Sequence, residues 1–366
     1  MFKLFDDVFR DKRILVTGHT GFKGSWLVLW LLKLGAYVGG YSLHPPSQPN
    51  HYQLLNLNIE SISGDIRDKD KLKQSIQFFQ PDIVFHLAAQ PLVRRSYKDP
   101  TTTFETNVMG TVNVFEACRQ TESVRAVVNV TSDKCYKNTG KSAGYKENDP
   151  MGGHDPYSAS KGCAELLTAS YQRSFFPPNE FRKHHPILLA SVRAGNIIGG
   201  GDWGEDRLVP DVMRATSQNQ KVVLRNPRAT RPWQHVLDPL AGYLLLGQKL
   251  LEGLPEFASA WNFGPQEIDQ KSVLDVVRKL QTQWSQIDFE IVPDKDNFHE
   301  AALLKLDCSK ANARLGWKPI WNDAAMFEKT VQWYRDFYSS QRVLSQHQLD
   351  EYIGEAKRQD VPWVAP

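Results

Sequence analysis

Arg13-Ile14-Leu15-Val16-Thr17-Gly18-His19-Thr20-Gly21-Phe22-Lys23-Gly24 is the stretch that decides the fold class. Ile14–Val16 is a short apolar run ending near a glycine, the pattern of a strand buried on both faces. Beyond it, Trp26, Leu27, Trp30, Leu31 and Leu34 recur at helical spacing up to Gly35, a candidate C-cap. Between strand and helix, glycines at 18, 21 and 24 permit a tight turn, close approach of a pyrophosphate and close helix–strand packing. The helix N-terminus adds amide donors and partial positive charge for phosphates. Glycine spacing alone is common; its place after the first strand of a βαβ unit gives it weight.

Strand-like runs recur at Ala36–Tyr41, Ile83–Ala88, Ala126–Val130 and Pro186–Val192, with helical segments at Thr106–Arg119 and Ala159–Arg173. Such alternation predicts an α/β fold with a doubly wound, parallel, Rossmann-like sheet over residues 1–192. From residue 193 the texture changes to glycine-rich loop and short helices, such as Lys271–Gln283 and Asp323–Phe337. A smaller, mixed α/β C-terminal lobe is expected over 193–366, with returns to the first domain near 224–238 and 261–264. Ser345–Lys357 reads as a polar surface helix.

Of the 366 residues, 41% are hydrophobic and 23% charged, the balance of an ordinary soluble chain. A net charge of +3 without a long basic run suits a phosphate-bearing small molecule and does not call for nucleic acid. No apolar stretch approaches the ~20 residues needed to span a bilayer. Asp6, Asp7 and Asp11 precede the first apolar run, against a secretory signal. Cys118, Cys135, Cys163 and Cys308 lack metal-ligand or redox spacing, so free thiols, no metal and a cytoplasmic location are expected.

Chemistry is suggested by two further stretches. Tyr157 and Lys161 lie one helical turn apart and point the same way. An ammonium beside a phenol favours the phenolate, so the Tyr157 pKa is expected to fall towards neutrality and make it a general base. Thr131-Ser132-Asp133-Lys134 follows an apolar strand and adds an acid and a second base candidate. A structural ion pair is the alternative reading of Asp133 and Lys134. Near Ser42, where a dinucleotide fold usually places a ribose-binding acid, there is none, which leaves NAD and NADP undistinguished. Asp65-Ile66 is a candidate adenine contact, and His86 reads as a packed residue. Guanidinium forks suit phosphate oxygens, which makes Arg193, Arg207, Arg225 and Arg231 candidates for a diphosphate.

The glycine pattern, Gly64-Asp65-Ile66-Arg67-Asp68, His86-Leu87-Ala88-Ala89-Gln90, Asn107-Val108-Met109-Gly110-Thr111 and Tyr157 with Lys161 together resemble the extended short-chain dehydrogenase/reductase family. The resemblance implies NAD as cofactor. Its binding residues would be Gly18, Thr20, Gly21, Phe22, Gly24, Asp65, Ile66, Ala88, Ala89, Gln90, Asn107, Tyr157 and Lys161. It also implies a homodimer built on Thr106–Arg119 and Ala159–Arg173, with a tetramer left open. Within the family, Thr131-Ser132-Asp133-Lys134-Cys135-Tyr136 resembles the nucleotide-sugar 4,6-dehydratases. Gly195–Trp203, Arg231–Val236 and Leu43-His44-Pro45-Pro46 resemble the branch acting on CDP-linked glucose, which implies substrate contacts from Asn196, Arg207, Arg231 and His235.

The implied roles are Tyr157 as base at the C4 hydroxyl, Lys161 beside it and Ser132 on the C4 oxygen. Lys134 would take the C5 proton and Asp133 would protonate the departing C6 hydroxyl. Many of the dehydratases that this chain resembles carry glutamate at the Lys134 position. Lysine also stands there in some that invert C5, and retention at C5 is the expectation for this chain. The alternatives are another nucleotide-sugar 4,6-dehydratase, a 4-epimerase or simple reductase of the same family, which gives Asp133 and Lys134 no task, and a non-enzymatic dinucleotide-binding protein, against which the intact set of reactive residues speaks.

Overall fold

In the computed structural model, which describes residues 3–265, 271–292 and 304–365, strand β1 (Arg13–Thr17) leads through the glycine loop into helix α1 (Phe22–Lys33). Strands β2 (Tyr37–Ser42) and β3 (Glu60–Ser63), helix α2 (Lys69–Phe79) and strand β4 (Ile83–His86) follow. After them come α3 (Gly110–Arg119), β5 (Ala126–Val130), α4 (Pro156–Ser174), β6 (Leu188–Arg193), α5 (Leu237–Leu251) and β7 (Ala260–Asn262). The strands form one parallel sheet in the order β7-β6-β5-β4-β1-β2-β3. Strand order reverses between β1 and β4, so the crevice for a ligand opens at the carboxyl ends of these strands.

Alternation within the central strands explains why both faces are covered. Ile14, Val16, Ile83, Phe85, Ala126, Val128, Leu188 and Ala190 point into one core, shared with Trp26, Leu27 and Trp30 of α1 and Leu240, Leu244 and Leu245 of α5. Leu15, Val84, Val127 and Leu189 point to the opposite core, against Leu72 and Ile76 of α2 and Val114 and Phe115 of α3. A third core, centred on Val212, Met213, Val276, Val277, Leu280 and Trp333, belongs to the smaller lobe.

Ala260–Asn262 returns to the main sheet beside β6. The stretch 224–238 does not: Val222–Leu224 pairs with Phe289–Ile291, Thr230–Arg231 with Lys271–Ser272, and Gln234–His235 with Ile197–Ile198. Its end enters α5 instead.

Two late helices, α6 (Asp323–Ser340) and α7 (Ser345–Arg358), lie near the C-terminal end of the chain. Helix α7 departs from the expected polar surface helix. Leu349, Tyr352 and Ala356 are buried in the main core, and Tyr352 donates to Asp238 Oδ1 at 2.8 Å. Its buried stripe is narrow and its outer face rich in Gln, Glu and Lys, which hid the stripe in the sequence. At its start, Ser345 Oγ bonds His51 Nε2 at 2.6 Å, and His51 Nδ1 bonds Ser25 Oγ of α1 at 2.7 Å. The C-terminal helix is thereby tied to the helix that follows the glycine loop.

Candidate active site

Gly18 has φ +76°, and a Cβ there would lie 2.8 Å from Ala88 N; a Cβ on Gly24 would lie 2.2 Å from Gly18 O. The loop after β4 thus lies directly against the glycine turn, and α1 sits as close to it as backbone allows. No side chain caps the N-terminus of α1, where Gly21 is the N-cap and Phe22 the first helical residue. Thr17 Oγ1 accepts from the amides of Leu87 and Ala88, at 3.2 Å each, and bonds His86 Nδ1 at 2.7 Å. His86 is therefore a packed residue holding two loops together. The half-buried backbone of Gly18 and Gly21, a helix N-terminus without a side-chain cap and the adjoining Ala88-Ala89 backbone fit a dinucleotide pyrophosphate.

Other residues expected at the cofactor also make contacts within the protein. Asn107 Oδ1 accepts from Gln90 N at 2.8 Å, and its amide donates to Gln90 O and to Ser160 Oγ of α4. Asn107 therefore pins the β4 loop to α4. The Gln90 side chain bonds Leu92 and Thr103. Ile66 is buried under Gly110, and the Asp65 carboxylate is engaged by Arg67 at 2.7 Å. At the end of β2, Ser42 Oγ pairs with Thr20 Oγ1 at 2.8 Å.

The acid–base groups meet at the end of β5. Asp155 caps α4, accepting from Ser158 N at 2.9 Å, with Pro156 in the first turn; this aims Tyr157 and Lys161 at the strand end. Ser132, Asp133 and Lys134 lie at a short 3₁₀ turn, Asp133–Cys135, that follows β5. Ser132 donates to Asp133 Oδ1 at 2.9 Å and lies close enough to Tyr157 to favour its ionised form. Lys134 Nζ stands 3.8 Å from Asp133 Oδ1. Asp133 is fully buried, its Oδ2 has no hydrogen-bond partner among the described residues, and a Cβ on Gly195 would fall 1.9 Å from that atom. Gly195 makes the space that the carboxylate occupies.

Burial pushes the Tyr157 phenol up to about 12; the Ser132 hydroxyl opposes this and the Asp133 charge adds to it. The expected fall towards neutrality is not found in the protein alone. The reason is that Lys161 directs its ammonium to Val130 O, at 3.3 Å, and burial draws its own pKa down to about 8.

Arg207 reaches the site, held by Asp202 at 2.8 Å and close enough to act on Tyr157 electrostatically. Asn196, at φ +45°, and Arg231, on a short strand, lie on loops of the smaller lobe. His235 does not reach a surface: it is fully buried, 4.5 Å from the Trp321 ring centroid, and burial lowers its pKa to about 3. It supports the Gly199 turn. Arg193 is likewise no diphosphate ligand, since its guanidinium is buried against Glu165 at 2.6 Å, while Arg225 pairs with Asp206 at the surface.

Three features around the acid–base groups escaped the sequence reading. Lys23 is half-buried, and its ammonium feels the charges of Lys161, Arg207 and Asp133; burial first, then the two cations, lower its pKa to about 7. A cation in the first turn of a helix opposes the macrodipole, and that was a readable signal. Glu165 lies one turn beyond Lys161 and was legible from the same arithmetic that paired Lys161 with Tyr157. Gly195 had no local signal, because its neighbour Asp133 is distant in the chain.

A doubly wound sheet with a glycine turn at its switch point and a tyrosine–lysine helix beside a serine defines a short-chain dehydrogenase/reductase. The chain belongs to the GDP-mannose 4,6 dehydratase family, whose model matches residues 15–330, within the extended branch of that class. It is 49% identical over 353 residues to the CDP-glucose 4,6-dehydratase of Salmonella typhimurium, covering 95% of this chain and 98% of that one. It is 28% identical to a probable dTDP-glucose 4,6-dehydratase of Sinorhizobium fredii, over 88% and 92% of the two chains. Among solved structures it resembles the UDP-glucose 4-epimerase of Thermus thermophilus in complex with NAD, with TM-score 0.74 and 25% identity over 88% of this chain and 99% of that one.

Proposed function

We propose that this chain is an NAD-dependent CDP-glucose 4,6-dehydratase that forms CDP-4-keto-6-deoxy-glucose and water. The observation that carries this reading is the packing of Asp133 and Lys134 against Ser132 and Gly195, beside Tyr157. A 4-epimerase needs the serine, tyrosine and lysine but has no use for a second acid and base. The 49% identity to the Salmonella enzyme supports the choice of sugar nucleotide.

When bound, NAD supplies the hydride acceptor at C4, the same hydride for C6, and a positive nicotinamide charge. Tyr157 takes the proton of the C4 hydroxyl, with Arg207 and Ser132 favouring its phenolate. Ser132 hydrogen-bonds the C4 oxygen as it becomes a carbonyl. That ketone acidifies C5–H. Lys134 removes the C5 proton, Asp133 gives a proton to the leaving C6 oxygen, and a solvent-exchanged proton returns to C5 as hydride returns to C6. Arg207 and Arg231 bind the diphosphate and Asn196 the sugar, with product of retained C5 configuration.

Incubation with CDP-glucose and NAD in deuterated water, followed by mass spectrometry, tests the reading. Loss of water with deuterium at C5 is expected. Conversion of UDP- or dTDP-glucose alone would overturn the substrate, and C4 epimerisation without dehydration would overturn the reaction.

The protein acts as a homodimer in the cytoplasm. Met109 and Leu166 are 53% and 61% exposed, on the helical segments that follow β4 and β5. Apolar side chains so exposed on two neighbouring helices suit a second copy of the chain. Light scattering should give twice the chain mass of 41.7 kDa, and Leu166→Glu should halve it. Among the described residues, no helix is long and apolar enough to cross a membrane.

A further inference from the structure

Behind the reacting groups lies a buried ion pair that the chemistry above does not use. Glu165 and Arg193 are 4% and 3% exposed and approach to 2.6 Å. Glu165 Oε2 also accepts from Ser191 Oγ at 2.8 Å, and its Oε1 accepts from Thr131 Oγ1. Arg193 Nη1 donates to Tyr136 OH at 2.6 Å and to Glu147 O at 2.9 Å, and Tyr136 OH donates to Asn262 Oδ1 at 2.7 Å. The network joins α4, β6, β7 and both sides of the turn that carries Ser132, Asp133 and Lys134.

A buried pair of this kind is weak evidence for stability, because desolvation offsets most of the attraction and apolar replacements often do as well. Its placement suggests another purpose. Tyr157, Lys161 and Glu165 follow one another at four-residue spacing, so all three lie along one face of α4. Thr131, which donates to Glu165, immediately precedes Ser132, and Lys161 is bonded to the carbonyl of Val130 immediately before it.

We propose that Glu165, clamped by Arg193, is a positioning residue for oxidation at C4. Its carboxylate ties the end of β5 to α4 and supplies the negative charge that faces the Lys161 ammonium.

The groups around Lys161 leave that task to Glu165. Cys135, from the turn after β5, is a buried thiol whose pKa burial pushes far up, so it is neutral. His86, at the end of β4, is held neutral by burial, with a pKa of about 3. Lys23, from α1, is itself a base that repels the ammonium, and Tyr157 is a neutral phenol until it reacts. Burial works against the Glu165 carboxylate, but the Arg193 charge and the hydrogen bonds of Arg193, Thr131 and Ser191 more than offset it and hold its pKa low. Burial likewise opposes the Lys161 ammonium, and Glu165 is the first of the groups opposing that loss.

The inference rests on the reaction proposed above, and wild-type turnover of CDP-glucose is the control that separates the two. If the wild type forms no dehydrated product, the function is wrong; if it does, the pH profiles of the variants judge Glu165. Glu165→Gln keeps the size and removes the charge. Its alkaline limb of kcat/KM should move to lower pH by about one unit, the displacement expected when a countercharge one turn away is lost. Arg193→Lys keeps Glu165 ionised and should leave the limb in place even if Tm falls. Glu165→Gln with Arg193→Met leaves no unpaired buried charge and should show the same displacement as Glu165→Gln. A purely structural role predicts lower activity with an unmoved limb, and that result would overturn the proposal. Failure of the double variant to fold would also count against it, because a pair with a local positioning role can be exchanged for neutral side chains without loss of the fold.

Discussion

The two halves of the crevice are built by different means. On the β1 side, position is enforced by backbone: no Cβ fits on Gly18 against the Ala88 main chain, nor on Gly24 against Gly18 O. On the β5 side, position is enforced by charge and hydrogen bonds: Asp133 rests against Gly195, Ser132 bonds Asp133, and Glu165 holds Thr131. Backbone contacts tolerate no adjustment, whereas side-chain contacts give way at the expense of chemistry. The first half is therefore expected to fail by unfolding and the second by losing turnover.

Gly24→Ala should have the largest effect. Its new methyl would meet Gly18 O at 2.2 Å and His19 Cα at 2.8 Å, both on the main chain, so α1 must separate from the turn. A loss of roughly 3 kcal/mol or more is expected, at the upper end for overpacking, and urea unfolding measures it. Full stability in this variant would mean that the loop adjusts and that the contrast between the halves is false.

Next come two changes on the other side that should leave Tm within a few degrees of wild type. Gly195→Ala drives a methyl into the Asp133 carboxylate, a side chain that turns away only by leaving Ser132 and Lys134. Turnover should fall by about 100-fold or more, the usual worth of a placed acid or base. Lys134→Met should stop water loss while NAD affinity, measured by calorimetry, stays within a factor of about three, far below one catalytic group's contribution. Normal dehydration by Lys134→Met would remove lysine from the proposed base role. Unfolding of Gly195→Ala would show that the second half, too, is held by backbone.

The same division explains what the sequence disclosed. Glycine spacing, strand alternation and the Tyr157–Lys161 turn are local patterns, and they led correctly to a doubly wound parallel sheet with a smaller lobe. The seating of Asp133 on Gly195, and of Glu165 on Arg193, joins residues far apart in the chain, for which no local pattern exists. His235 and Arg193 misled for a related reason. Their residue types suit phosphate, but exposure is a tertiary property, and both are buried. The buried stripe of α7 was missed because its outer face dominates its composition.

Lys23 crosses the division, since it lies in the first turn of α1, just after the glycine loop, and is governed by the charges of the other half. Lysine in the unfolded chain holds its proton to about 10.5, whereas Lys23 in the folded protein releases it near 7. Across that window the unfolded state binds the extra proton, so folding stability rises with pH; below about 7 the folded protein bears the whole cost of the enclosed cation. Lys23→Met removes the cost, and Tm should rise by a few degrees, on the scale of about 1 kcal/mol, most at acid pH and least towards pH 10. Because Arg207 contributes to the lowered pKa, the gain should shrink when Arg207→Met is already present. A gain that is the same at every pH would mean that methionine merely packs better, and the two halves would then be electrostatically independent.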